Sequence, residues 1–487
     1  MRRPGTLVLA ALVIGGCQAG SRGATSDSAA RTGAPGDSAA TPTAPRDAAT
    51  EAFLDTLQER TFRWFWETTN AKNGLTPDRW PTKSFSSIAA VGFALTAYPI
   101  GVERKWVTRE QARDRVLTTL RFFWRAPQGP RPAGVTGYKG FFYHFIDMDT
   151  GHRFQTVELS TIDTTLLLGG ILFCREYFKG ADAAEAEIRA LADSIYRRVD
   201  WPFTVHQPPL VSMGWEPEKG FGSYDWRGMN EGMLLYVLAL GSPTHPIDPA
   251  AWREFTSTYK WGTFHGAPEH VGFGPLFGHQ YSHIFIDFRG IRDEYMRGKG
   301  IDYFENARRA TLAQRAYAIA NPNRWRDYSG DIWGLTASDG PHDTVVTVEG
   351  RSRQFFTYAA RAADFTEIRD DGTVAPTAVG GSVPFAPEIT IPALKAMRDR
   401  YGEDLYTKYG FLDAFNPTFP ATGITPKMGR NLPSKVWVDG DYLGIDQGPI
   451  IAMIENYRSD LIWRYMRKNP YIVAGLKRAG FAGGWLE

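Results

Sequence analysis

Runs of residues too uniformly apolar to lie at a surface recur along this chain, and amphipathic stretches separate them. SIAAVGFALTAYPIGV (87–102), the run over 157–178 and MLLYVLAL (233–240) are apolar nearly all round. A helix of that kind must be covered on every side. Between them, 51–69, 108–124 and 181–198 carry apolar residues at helical spacing with a polar face. Further helices are predicted over 249–259, 281–298, 303–320, 387–401, 443–465 and 470–480. Strand signals are few and short, as in the hairpin-like 137–153 with its Asp-Thr-Gly turn. Buried helices paired with amphipathic ones predict an all-α fold, an (α/α)6 toroid with an inner ring buried on both sides. Loops at one end of that ring would then carry the site. A two-domain all-α arrangement is the rival architecture.

The first residues read as an export segment. Arg2 and Arg3 precede an apolar stretch over 7–14, too short to span a bilayer. Ile14-Gly15-Gly16-Cys17 resembles a lipobox, which makes Cys17 the lipidation candidate. Gln18 follows, so sorting to the outer membrane or cell surface is expected, with acyl chains as the only membrane contact. Residues 18–48 are rich in Ala, Ser, Thr, Gly and Pro and form a tether without a core. Residues 49–487 form a single catalytic domain. Its one cysteine, Cys174, lies in the apolar GGILFC and reads as an inert buried thiol.

A net charge of +2 and the lack of basic runs exclude a dedicated nucleic-acid binder. No phosphate-binding loop and no G-x-S-x-G elbow is present. The aromatic content, with 15 Trp and 21 Tyr, favours flat stacking surfaces for sugars. Asp439, Asp441 and Gly444 match three calcium-loop positions, but Leu443 and Ile450 occupy two others that must ligate. His279 and His283 have helical spacing, yet Gln280 replaces the glutamate of a zinc-protease helix. No metal and no cofactor is expected.

Acids recur where the buried helices begin. Glu231 opens an apolar helix behind Trp215, Trp226, Arg227 and Asn230; Gly241-Ser242-Pro243 ends it. A first-turn acid commonly does no more than complement the helix dipole. Its aromatic company instead suits a carboxyl kept protonated by burial, able to donate to a glycosidic oxygen. Glu158 and Asp163 flank the start of another buried helix, where Ser160 is a capping residue. Asp439, Asp441 and Asp446 lie at a third helix start. Paired carboxyls of this kind hydrolyse glycosides. Trp215, Trp226, Tyr281, Trp333 and Phe385 are the expected groove lining, with Arg227, His283 and Arg289 bonding sugar hydroxyls.

Several ordered segments then carry a resemblance: ELSTIDTTLLLGGIL, NEGMLLYVLALGSPTHPI, GHQYSHIFIDFRGIRDEY, WGLTASDGP, YGFLDAFNP and DYLGIDQGPIIAMIENYRS. Over roughly 50–487 the chain resembles the bacterial glucoamylase-like domain family that includes glycoside hydrolase family 144, the endo-β-1,2-glucanases. The resemblance implies an (α/α)6 barrel, inverting hydrolysis of glucan polysaccharide or oligosaccharide, and a general-acid role for Glu231. For the base it leaves Asp446 first and Glu158 second, with Asp163 and Asp441 in support. Exo-acting sophorose release and glucan transfer remain open alternatives. So do a polysaccharide lyase and a non-catalytic glycan-binding surface lipoprotein. A monomer is expected, without nucleic-acid partners.

Overall fold

The structure, a computed structural model, describes residues 47–487. The export segment, Cys17 and nearly all of the expected tether lie outside the described residues. Fifteen helices are present among the described residues. In order they are α1 (Ala48–Thr68), α2 (Ile88–Glu103), α3 (Arg109–Arg125), α4 (Thr161–Tyr177) and α5 (Ala183–Arg197). Then come α6 (Met233–Gly241), α7 (Ala250–Thr256), α8 (Tyr281–Phe285), α9 (Glu294–Lys299) and α10 (Tyr303–Ala320). The last are α11 (Pro376–Gly380), α12 (Pro387–Tyr401), α13 (Gly444–Ser459), α14 (Leu461–Met466) and α15 (Pro470–Arg478).

Helices α2, α4, α6, α8, α11 and α13 are buried along most or all of their length and form the inner ring. Each packs on its neighbours: α2 on α4 and α13, α4 on α6, α6 on α8, and α11 on α13. Gln280, ahead of α8, donates to the Ala378 carbonyl and to Ser382 Oγ and so ties α8 to α11. The outer layer covers this ring: α1 lies on α13 and α2, α3 on α2, α5 on α4, α12 on α11, and α15 on α6. This is the predicted (α/α)6 toroid. Helices α2 and α4 cross with backbone in contact. A Cβ on Gly170 would sit 2.1 Å from the Gly92 carbonyl oxygen, so only glycine permits that approach.

The N-terminal ends of the inner helices share one rim. Ser87 caps α2 by accepting from Ala90 N, and Ser160 caps α4 by accepting from Asp163 N, as its position in the sequence predicts. Dipeptide strands just ahead of the helices fix this rim. Ser86–Ser87 pairs with Phe145–Ile146, and Tyr442–Leu443 pairs with Arg79–Trp80. Leu159–Ser160 sits at the centre of a five-stranded antiparallel sheet with Phe141–Tyr143 and Gly214–Glu216 on either side.

Two helix expectations are corrected. The run over 281–298 is not one helix: α8 stops at Phe285, because Asp287 turns the chain by accepting from Arg289 N and its guanidinium. The run over 443–465 breaks at Asp460, which takes a left-handed conformation with φ 61°.

Candidate active site

Glu231 lies in the turn before α6, two residues ahead of the first helical residue rather than inside the first turn. Three bonds fix this turn. Ser282 Oγ donates to the Glu231 carbonyl at 2.8 Å and accepts from Leu234 N at 2.9 Å. Asn230 Oδ1 accepts from Gly232 N. Trp226 Nε1 donates to Thr161 Oγ1 at 2.9 Å, so the indole braces the turn from behind. The Glu231 side chain makes no ion pair among the described residues and remains partly accessible. Burial pushes its carboxyl from 4.5 up to about 7, and the nearby Asp163 charge adds to the effect.

Beside it stands a carboxylate–imidazole chain. His144 Nδ1 lies 2.7 Å from Glu158 Oε1, and Nε2 lies 3.5 Å from Asp163 Oδ2. Burial pulls the imidazole down, but Asp163 and Glu158 outweigh it and hold His144 at about 10, in its charged form. The same pairing overcomes burial at Glu158 and lowers its carboxyl. At Asp163 burial wins, and the group is raised even though Ser160 Oγ donates to it at 2.5 Å.

Across the rim, six aspartates converge around one arginine. Arg79 Nη1 lies 2.6 Å from Asp339 Oδ2, and Arg79 Nε lies 3.1 Å from Asp78 Oδ2. Asp413 Oδ2 accepts from Asp339 N, and Asp441 Oδ1 accepts from Thr82 N, both at short range. Asp446, at the start of α13, is buried and pushed to about 7, with a hydrogen bond from Asp413 working against that rise. Burial raises Asp413 well above the usual range; Asp446's charge and the same hydrogen bond add to the rise. Asp413 and Asp446 therefore form a pair of buried carboxyls whose titrations are linked. Burial raises Asp339 to about 6 and Asp439 well above its usual value. Oxygens of Asp339, Asp413 and Asp439 lie within 4.8 Å of one another, close enough for a cation to span and equally close enough to share protons.

Tyr281, the first residue of α8, joins the two halves. Burial raises its phenol, and the charges of Asp446, Glu231 and Asp163 all act on it, as does Tyr358. Its neighbour Tyr358 is partly accessible and lies in the field of Asp446, Asp339 and Asp413. A carboxyl held neutral on one side, a carboxylate pair on the other and two phenols between them can protonate a leaving oxygen and activate a water.

Several expected lining residues lie elsewhere. In the register of the rim sheet Trp215 stands opposite Leu159. Successive strand residues face opposite sides, so Trp215 points away from Glu158, towards Tyr138 and Phe203. His283 is in the core between Phe288 and Phe385, and burial pulls its imidazole to about 3. Phe385 packs there too, against Phe304 as well. Arg289 lies beyond the C-terminal end of α8, ion-paired with Asp287 and Asp460 over the Trp463 ring. It therefore belongs to the rim opposite the site. Trp333 is fully buried in the core. Arg227 is half-exposed and pairs with Glu254 at 2.8 Å. Of the expected lining, Tyr281 alone stands within the charge cluster, and Trp226 acts as a brace.

His144, Asp413, Arg79, Asp78 and Tyr358 escaped the sequence reading. His144 carried one usable signal: it sits in the short strand-like FFYHFI ahead of Glu158. Asp413 lies in YGFLDAFNP with no periodicity to mark it.

Residues 223–470, just over half of the chain, match the sequence family described as "Putative glucoamylase". A Bacteroides uniformis structure described in the same words is 30% identical with TM-score 0.77, covering 91% of this chain and all of its own. The endo-β-1,2-glucanase of Chitinophaga pinensis, solved with sophorotriose and glucose, is 26% identical with TM-score 0.75, covering 90% and 99%. An exo β-1,2-glucooligosaccharide sophorohydrolase of Parabacteroides distasonis is 29% identical over 464 residues. That match takes in 88% of this chain but only 58% of the relative. With this family match, these similarities and the toroid in place, the chain belongs to the glucoamylase-like family.

Proposed function

We propose that this protein is a glycoside hydrolase that cleaves β-1,2-linked glucan with inversion of the anomeric centre. One observation carries the reading: Glu231, which makes no ion pair among the described residues, is raised to about 7 at the mouth of an inner helix, and both it and Asp446 act on Tyr281. In this mechanism Glu231 protonates the leaving glycosidic oxygen. Asp446, paired with Asp413, takes the proton from the attacking water, directly or through a sugar hydroxyl. Glu158 is committed to His144, so it positions Asp163 rather than acting as the base. The substrate assignment rests on the glucanase and sophorohydrolase relatives.

The deciding experiment is incubation with linear β-1,2-glucan and sizing of products over time. Endo action gives a spread of oligosaccharides from the outset, whereas exo action releases sophorose alone. A product that absorbs in the ultraviolet would signal a lyase and overturn the reading. We also propose that the protein is exported and lipid-anchored through Cys17, on the strength of the Ile14-Gly15-Gly16-Cys17 motif.

A further inference from the structure

Tyrosines near carboxylates in this protein commonly bond to them. Tyr303 donates to Asp293 at 2.9 Å, Tyr328 to Asp370 at 2.8 Å and Tyr401 to Asp327 at 2.9 Å. Tyr358 breaks the pattern. It lies in the field of Asp446, Asp339 and Asp413, yet its phenol makes no hydrogen bond with any described residue. The residue is partly accessible, so its hydroxyl is open to a molecule in the cleft. A phenol both donates and accepts, and one left unpaired beside carboxyls calls for a partner from outside the fold.

The backbone holds it there. Ala337 stands opposite Ala360 and Ser338 opposite Ala359, so one further step in the same register brings Asp339 opposite Tyr358. Directly opposed residues on antiparallel strands share a face, with Cβ atoms about 4.5–5.5 Å apart. Arg361, fully buried and paired with Asp371 at 2.7 Å, clamps this corner. Its guanidinium donates to the Ser338 carbonyl at 2.7 Å and to the Thr357 carbonyl at 3.1 Å. Asp371 in turn accepts from Phe356 N at 3.0 Å. A buried ion pair adds little net stability once desolvation is counted. Here it fixes the two backbones that carry Asp339 and Tyr358. On the other flank Tyr281 reaches the Ile445 carbonyl, next to Asp446, at 3.5 Å.

We propose that Tyr358 is a further catalytic residue: its phenol hydrogen-bonds the oxygen that Asp446 deprotonates, the attacking water or the sugar hydroxyl that relays to it. The inference rests on the glucan-hydrolase reading and adds a residue to it. The proton balance is unchanged. Asp446 takes one proton, Glu231 gives one to the leaving oxygen, and the phenol keeps its own. Burial holds the phenol well above its ordinary value of 10, and the neighbouring carboxylates add to that, so it orients the nucleophile without acting as a base.

The test is Tyr358→Phe, assayed on linear β-1,2-glucan beside the wild type. The ring keeps its packing and the lost hydroxyl has no partner in the fold, so the melting temperature should not move. We expect kcat to fall by about tenfold to a hundredfold with KM unchanged, the pattern of a contact made in the transition state. An unchanged kcat, in an enzyme active on the glucan, overturns this inference and leaves the hydrolase reading standing. A rise in KM alone makes the phenol a binding group and also overturns it. So does a fall in kcat that comes with a lower melting temperature, the mark of a structural role. Inactivity of the wild type on the glucan overturns the hydrolase reading and this inference with it.

Discussion

Replacing Glu231 with glutamine separates catalysis from stability. The shift of this carboxyl from 4.5 to about 7 means that ionising it in the folded protein costs up to about 3.4 kcal/mol more than in the unfolded chain. For a raised carboxyl the linkage runs one way. Below the unfolded value both states are protonated and nothing is lost. Between 4.5 and about 7 the unfolded chain ionises while the folded one holds its proton, and stability falls. Above 7 the full penalty stands. Glutamine cannot ionise, so Glu231→Gln should raise the melting temperature at pH 8 and leave it unchanged at pH 4. The same change removes the proton donor, and kcat should fall by about 10²–10⁴ with little change in KM. In the wild type, activity should be lost as pH rises through about 7, because the donor is then ionised. Thermal unfolding at the two pH values, alongside steady-state kinetics on β-1,2-glucan, reads both effects. A melting gain equal at both pH values, or a kcat reduced less than about tenfold, would refute the assignment of Glu231 as a buried protonated acid.

Asp446→Asn should depress kcat by about 10²–10⁴ and abolish the acid limb of the pH profile, which falls as Asp446 gains its proton below about 7. A profile with that limb intact would move the base elsewhere. Gly170→Ala forces a Cβ against the Gly92 carbonyl and should cost about 1–3 kcal/mol or more in a denaturant titration. Gly298→Ala, in α9 with open space around it, should be neutral or slightly stabilising. Cys17→Ala should release the protein from the membrane fraction; a wild type already soluble in the periplasm would contradict the lipid anchor.

The inner ring was readable because its helices are apolar all round, a pattern that few environments tolerate. Ser160 was readable as a cap because a capping residue acts on its own chain two or three positions away. Glu231 stood out for the same local reason. What escaped depends on distant partners. His144 meets Glu158 across a strand pair, and Arg79 reaches Asp339 across 260 residues of sequence. The spacing of His279 and His283 looked helical, but the chain changes from a 3-10 turn to a helix between them, and His283 enters the core. Trp215 lies next to the right strand and faces the wrong side of it, since one step along a strand reverses the face.

The seam between α2 and α13 has a consequence for the life of the chain before it is folded. The acid cluster takes Asp78 and Arg79 from ahead of α2 and Asp446 from α13, and the Gly444 N–H closes onto the Asp78 carbonyl at 2.8 Å. The first and the last inner helix are therefore neighbours, and the ring is completed by some of the latest residues to emerge during synthesis. Loop closure over such a span is slow compared with local helix formation. A nascent or truncated chain lacking α13 lacks Asp446, the proposed base opposite Glu231. On the proposed mechanism, hydrolytic capacity then arrives in one step, when the ring is closed.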